Sequence, residues 1–317
     1  MRVRGMRVVG IALLALLGLA GCSGASYSDD VRYRIAGGGP SGLYYNYGAG
    51  LAEVLQRELG IDIEVIETEG SVDNLLRVDS GEAILGFAQG DTAVDAIAGE
   101  GAFDEPLSVK AVARVYDEYV HIVVPAESEL EHVSDLEGRR VSLGAQGSGV
   151  QVIATRVLHA FGVDLGSIEN PELALSESID ALQSGEIDGF FWVGGLPTPG
   201  VEALAEEMPL RLLSIDPDTV ERVNSAHVGV YRLAEFPVGV YGIEASTVTM
   251  TVPNYLITSA GAPDALIRDV TRELFDSRTE IAGRVSVAEL LDRRQAIFTG
   301  PMELHPGAAD FYRRARR

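Results

Sequence analysis

The chain has 317 residues, a formal net charge of −22, 46% hydrophobic residues and a single cysteine. That length and apolar content suit two ordinary domains or two lobes and exclude global disorder. The acidic balance excludes a surface for nucleic acid or anionic lipid, and one cysteine excludes disulfides and thiolate metal sites.

The first residues read as a targeting segment. Arg2, Arg4 and Arg7 precede an apolar run from Val8 to Leu19, and Leu19-Ala20-Gly21-Cys22 places small residues at a cleavage site. The run is too short to span a bilayer well. The tetrapeptide looks like a bacterial lipobox, which makes residues 1–21 a lipoprotein signal peptide and Cys22 the lipidated first residue; an ordinary secretory peptide is the alternative. Residues 22–30 form a short tether. Loss of the three arginines takes the net charge to −25. Lys110 is the only lysine, an imbalance that suits either a saline habitat or a GC-rich genome.

The elements that follow alternate. A strand over Val31–Ile35 runs into Ala36-Gly37-Gly38-Gly39-Pro40-Ser41-Gly42, and a helix follows from about Tyr44 to Leu59, stopped by Gly60. A strand over Ile61–Ile66 leads to Gly70-Ser71-Val72-Asp73-Asn74, a capped turn opening a helix through Val78. The apolar run Ala83–Ala88 has the pattern of a buried parallel strand; it ends at Gln89-Gly90-Asp91, and a helix continues through Ala98. This order predicts a doubly wound α/β sheet.

A strand-like region spans Val109–Val124, broken at Tyr116-Asp117-Glu118. A second set then begins: a turn of helix at 133–138, a strand over Arg140–Leu143, a second glycine-rich turn from Gly144 to Gly149, and a helix over Val150–Phe161. Beyond it the pattern gives a helix over Glu177–Gln183, strands over Gly189–Val193 and Leu210–Ile215, and a β-rich run over Thr247–Thr258. Helices are expected over Pro263–Phe275 and Val287–Ile297, and the tail from Phe311 is basic. Strand, glycine-rich turn and helix thus occur twice, which predicts two lobes whose helix starts face each other across a cleft.

Gly37-x-Gly39-x-x-Gly42 matches the spacing of a dinucleotide loop, with Glu67 where a ribose-binding acid would stand. A lone match with Pro40 inside it, in an exported chain, is weak support for a secreted nucleotide-binding enzyme. There is no P-loop lysine and no Gly-x-Ser-x-Gly elbow. His121, His132, His159, His227 and His305 show no metal-ligand or triad spacing and suit surface or satisfied core positions. No catalytic set, metal or cofactor is expected.

What remains is polar residues at predicted strand ends, where open α/β sheets bind ligands. One lobe offers Ser41, Gly42, Tyr44, Ser71, Asn74, Gln89 and Asp91; the other offers Gln146, Ser148 and Gly149, with Trp192, Val193 and Gly194 at a later strand end. Tyr44, Tyr116 and Trp192 could wall the pocket. Serines at helix starts are also ordinary caps, and their clustering at one sheet edge is what points to a small anion. Arg114 could clamp a carboxylate or form an ion pair, and Tyr119 suits hinge packing.

Taken jointly, the lipobox, Gly38-Gly39-Pro40-Ser41-Gly42-Leu43-Tyr44-Tyr45, Gly70 to Asn74, Gly144 to Gly149 and Gly-Phe-Phe-Trp-Val-Gly-Gly-Leu-Pro at 189–197 resemble a TAXI-family TRAP transporter solute receptor. The resemblance covers nearly the whole mature chain. It implies a two-lobed type II periplasmic binding fold, with lobe one at 31–118 plus 265–317, lobe two at 119–264 and hinges near 117–120 and 262–265. It further implies an extracytoplasmic, non-enzymatic receptor that closes on a small organic anion, glutamate-like or a dicarboxylate, and passes it to a TRAP-type permease. Ligand contacts would come from Ser41, Gly42, Tyr44, Ser71, Gln89, Ser148, Gly149 and Val193. Pro40-Ser41 departs from the family's usual pair, and Trp192 is bulky beside the Gly-Gly segment. A sensory module for a membrane kinase would show the same pocket.

Overall fold

The computed structural model describes residues 31–227 and 229–315. The expected signal peptide, the tether and Cys22 lie outside the described residues. No helix among those described is long and apolar enough to cross a membrane.

The chain alternates strand and helix at first, as expected. β1 (Arg32–Ala36), α1 (Leu43–Leu59), β2 (Asp62–Ile66), α2 (Ser71–Asp79), β3 (Leu85–Gln89) and α3 (Gly90–Ala98) precede the long β4 (Val109–Pro125). There follow β5 (Val141–Ser142), α4 (Gly149–Phe161), α5 (Leu175–Ser184), β6 (Gly189–Gly194), α6 (Pro199–Glu207), β7 (Leu210–Leu212) and α7 (Pro217–Ala226). The chain ends with β8 (Arg232–Phe236), β9 (Thr247–Ser259), α8 (Asp264–Asp276), α9 (Arg278–Ala282) and α10 (Pro306–Arg314).

The strands form one hydrogen-bonded sheet in the order β2-β1-β3-β9-β4-β6-β5, with β7 on β4 and β8 on β9. β1 pairs parallel with β2 and β3, and β5 pairs parallel with β6. β9 and β4 run antiparallel to each other and to their neighbours β3 and β6. These two long strands join the halves of the molecule. Along β4, Val112, Val115 and Tyr116 pack with α1 in one core, whereas Val120, Ile122 and Val124 pack with α4 in another. β9 divides in the same way, with Met250 and Val252 beside α4 and Leu256 beside α1.

Several expectations change. β4 is not broken at 116–118: it runs through, and register shifts between Ala111 and Ala113 and between Arg114 and Tyr116 absorb the irregularity as bulges. Residues 287–297 are not a helix. A short 3₁₀ turn over Ser286–Leu290 ends there, and the Asp292 carboxylate then accepts the backbone N–H groups of Arg294 and Gln295, closing a turn instead. The strand expected over Leu210–Ile215 is only β7. Five elements went unread in the sequence: α6, α7, β8, α9 and α10. Three of them are helices that begin with proline at the first turn, a start signal that the periodicity reading passed over.

Candidate functional site

The carboxyl ends of β1, β3 and β6 converge where the two halves meet. Between them lies a cavity of about 90 Å³, room for several waters or a small organic ligand. Its wall includes Ser41, Gly42, Tyr44, Ser71, Gln89, Ser148, Gly149, Trp192, Val193 and Gly194. Of the residues expected at the pocket, Tyr116 is buried and does not reach this wall, and Asn74, Asp91 and Gln146 do not line it either.

The first turn is built for close approach. Gly37 donates to the Ile66 carbonyl at 3.0 Å, and a Cβ there would lie 2.5 Å from Val65 Cγ1. Gly42 precedes α1 in extended backbone without a side-chain cap, so the first N–H groups of α1 lack one at the cavity edge. Asn46 Nδ2 ties Pro40 and Gly42 together through their carbonyls at 3.0 and 2.8 Å. The Trp192 ring lies over Gly42, and its Nε1 donates to Thr198 at 3.0 Å. In this way the bulky indole closes one side of the cavity.

α2 also starts without a side-chain cap, at Gly70. Ser71 Oγ accepts the Gln89 N–H at 3.2 Å. Asn74 faces inward, donating to the Phe87 carbonyl at 2.8 Å and accepting from Thr68, so its work is to tie β3 to the first turn. In the opposite half, Ser148 Oγ caps α4 by accepting the Gln151 N–H at 3.1 Å. The halves touch directly, as Asp73 N–H donates to the Gly147 carbonyl at 3.3 Å.

The residue that sequence reasoning missed is Glu118. It is 1% exposed and lines the cavity floor. Its Oε2 accepts from Gln89 Nε2 at 2.9 Å and from Tyr44 OH at 3.2 Å, and its Oε1 accepts from Tyr116 OH at 3.1 Å. Asn254 Nδ2 supports the group by donating to Tyr44 OH at 2.6 Å. All these donors are neutral. Burial therefore outweighs the hydrogen bonds and pushes the carboxyl up to about 8. Burial also lifts the Tyr44 and Tyr116 hydroxyls well above the usual phenol range. A signal was available: in Tyr116-Asp117-Glu118-Tyr119-Val120 the strand alternation buries Tyr116, Glu118 and Val120 on one face.

With its folded value near 8 and an ordinary value near 4.5, the protonated Glu118 contributes stability that is complete below about pH 4.5 and lost as pH rises through about 8. In thermal denaturation without ligand, Glu118→Gln should therefore gain on the wild type steadily between those limits. A constant offset between the two curves would contradict it.

Other candidates lie elsewhere. Arg114 forms a bidentate pair with Asp117, at 2.5 and 2.8 Å, and is off the cavity wall. Asp91 is fully buried under Arg156 and Tyr231, and Gln146 is exposed. Tyr119 packs on Phe236. His121 is a core histidine, bonded to the Tyr119 carbonyl at 2.8 Å and Tyr241 OH at 3.2 Å, and burial lowers it to about 4. His305 caps α10. Among the described residues, no group of three or more His, Cys, Asp or Glu side chains could hold a metal ion.

The chain is similar in structure to a protein described as a periplasmic transporter, with 14% identity, 90% of this chain and 92% of that one covered and a TM-score of 0.53. It is also similar to PhnD1 from Prochlorococcus marinus in complex with methylphosphonate, at 12% identity, 81% and 89% coverage and a TM-score of 0.51. The substrate-binding protein of an amino acid ABC transporter matches at 13% identity, 81% and 99% coverage and a TM-score of 0.50. At such identities the likeness is one of fold, and the fold is that of type II periplasmic binding proteins. In sequence, the NMT1-like family matches residues 35–315, nearly all of the described chain, and the protein belongs to that family.

Proposed function

We propose that the protein is an extracytoplasmic solute receptor that captures a small organic acid between its two halves and hands it to a membrane permease. The observation that carries this reading is the cavity itself. It sits between the halves, and the starts of α1, α2 and α4 all open onto it. Each such helix start favours an anionic group by about 0.3–1 kcal/mol. The structurally similar proteins include ones described as substrate-binding or periplasmic transport proteins, which supports the same reading.

In this reading, lobe one comprises residues 31–118 and about 254–315, and lobe two the residues between. The second crossover then falls near Pro253 rather than at 262–265, because Tyr255, Leu256 and Ile257 already pack in the cores of lobe one. Cys22 anchors the mature chain to the membrane, and the resemblance to TAXI receptors favours a TRAP-type permease. Capture rather than chemistry is the role, since the Ser71 and Ser148 hydroxyls are engaged by backbone N–H groups rather than by a base.

The test is a thermal-shift panel of amino acids, 2-oxo acids and dicarboxylates. A ligand at 100 times its Kd adds about 2.7 kcal/mol and raises Tm by several degrees. Ser148→Ala should lower the Tm of the free protein through loss of the cap, about 1 kcal/mol, and should also shrink the ligand-induced shift. An unchanged Tm across the whole panel would defeat the receptor reading.

A further inference from the structure

The charges of the cavity are one-sided. Its ionisable acids are Glu69 and Glu118, and no arginine, lysine or histidine lines it among the described residues. Glu118 sits at the floor with neutral donors only. Acceptors are also in excess around it. Gln89 is 2% exposed and lines the cavity, yet its Oε1 is buried without a hydrogen-bond partner. Asn254, whose amide nitrogen holds Tyr44, likewise has an unpartnered buried Oδ1. A carboxylate on the wall with unsatisfied amide oxygens packed beside it calls for a group with several donors and positive charge. An ammonium supplies three donors and no acceptor.

We propose that Glu118 selects a ligand bearing an ammonium group, so that the cavity takes a zwitterionic amino acid, with its ammonium on Glu118 and its carboxylate toward the helix starts, in preference to a dicarboxylate. This rests on the receptor reading above and names its ligand class. A second carboxylate in the same place could be held only while Glu118 keeps its proton, with no cation to separate the two charges once it leaves. The titratable groups facing Glu118 are Tyr44 from α1 and Tyr116 from its own strand, and Glu69 stands on the wall; Gln89 of β3 and Asn254 of β9 do not titrate. Burial holds both phenols protonated across the neutral range. Glu118 is thus the group whose proton the ligand displaces.

The experiment is isothermal calorimetry on the mature protein with the proteinogenic amino acids and the 2-oxo acid matching each, plus succinate and glutarate. Titrations run between about pH 6 and 8, in buffers of different ionisation enthalpy. One amino acid should bind at least 30-fold more tightly than its 2-oxo counterpart. Its affinity should climb by up to tenfold per pH unit below about pH 8, with release of a proton on binding. Glu118→Gln should lose both the discrimination and the pH dependence. If that variant does not fold, the proton count of the wild type decides. A 2-oxo acid or dicarboxylate binding as tightly as any amine, or proton uptake on binding, overturns the role of Glu118 and leaves the receptor reading standing. Binding by no member of the panel overturns both.

Discussion

Arg156→Ala is expected to lower the melting temperature by roughly 10 °C, from a loss of about 3–5 kcal/mol. Arg156 on α4 donates to Asp91 Oδ2 at 2.8 Å and to Asp95, both on α3, and Tyr231 OH donates to the same Asp91 oxygen at 2.6 Å. The side chains of Arg156 and Asp95 are 7% exposed and that of Asp91 is fully buried. Burial raises the Asp95 carboxyl above the usual range, against the pull of the neighbouring guanidinium. Removing the cation strands two carboxylates where water does not reach them. Thermal denaturation of the variant measures the loss, and an unchanged midpoint would contradict the argument. Arg156→Met combined with Asp91→Asn and Asp95→Asn should recover most of it, because replacing a whole buried ion cluster with neutral groups is often nearly neutral.

The same cluster joins the two halves. Ala93 and Ala96 of α3 pack with β1, β3 and β9, whereas α4 packs with the second half of β4. Breaking it therefore favours separation of the lobes as well as unfolding. On the proposed receptor reading, ligand affinity should also fall in Arg156→Ala, because halves that spend more time apart are less often competent to bind.

The first half of the fold was legible because its elements are regular. The period of Leu51, Val54 and Leu55 and the uninterrupted apolar run of β3 carry strong local signals, and nearly all the expected pocket residues do meet at the convergent strand ends. The illegible parts have a shared physical cause. Glu118 is a charged residue in a buried strand, and its environment is made by Tyr44, Gln89 and Asn254, which lie far away in sequence. Asp91 looked like a strand-end ligand until Arg156, 65 residues on, claimed it. Arg114 was settled by its neighbour Asp117, whose partner could not be told from spacing alone. Helix starts are local and can be read from sequence. Which polar partner a charged side chain takes is not.

Gly149→Ala is expected to abolish ligand binding, by 100-fold or more in Kd, with a smaller effect on folding than Arg156→Ala. The added Cβ at the first residue of α4 would lie 2.0 Å from Gln89 Oε1 and 2.7 Å from Ser71 Oγ. Real Cβ atoms do not approach so closely, so either Gln89 turns away or α4 withdraws from β3. The first outcome takes a donor from Glu118; the second opens the cleft. Both spoil the cavity, and neither requires either lobe's own core to unpack, because Gly149 and Gln89 belong to opposite halves. Gly39→Ala is the control: Gly39 also lines the cavity, but a Cβ there meets nothing within 4 Å, and its affinity should stay within about twofold of wild type. Calorimetry on the two variants separates a steric effect at the contact between lobes from a general intolerance of side chains around the cavity. Small-angle scattering then tells the two routes apart, since only withdrawal of α4 enlarges the particle. Equal affinities for Gly149→Ala and the wild type would mean that the α4 start and Gln89 do not meet in the ligand-bound state.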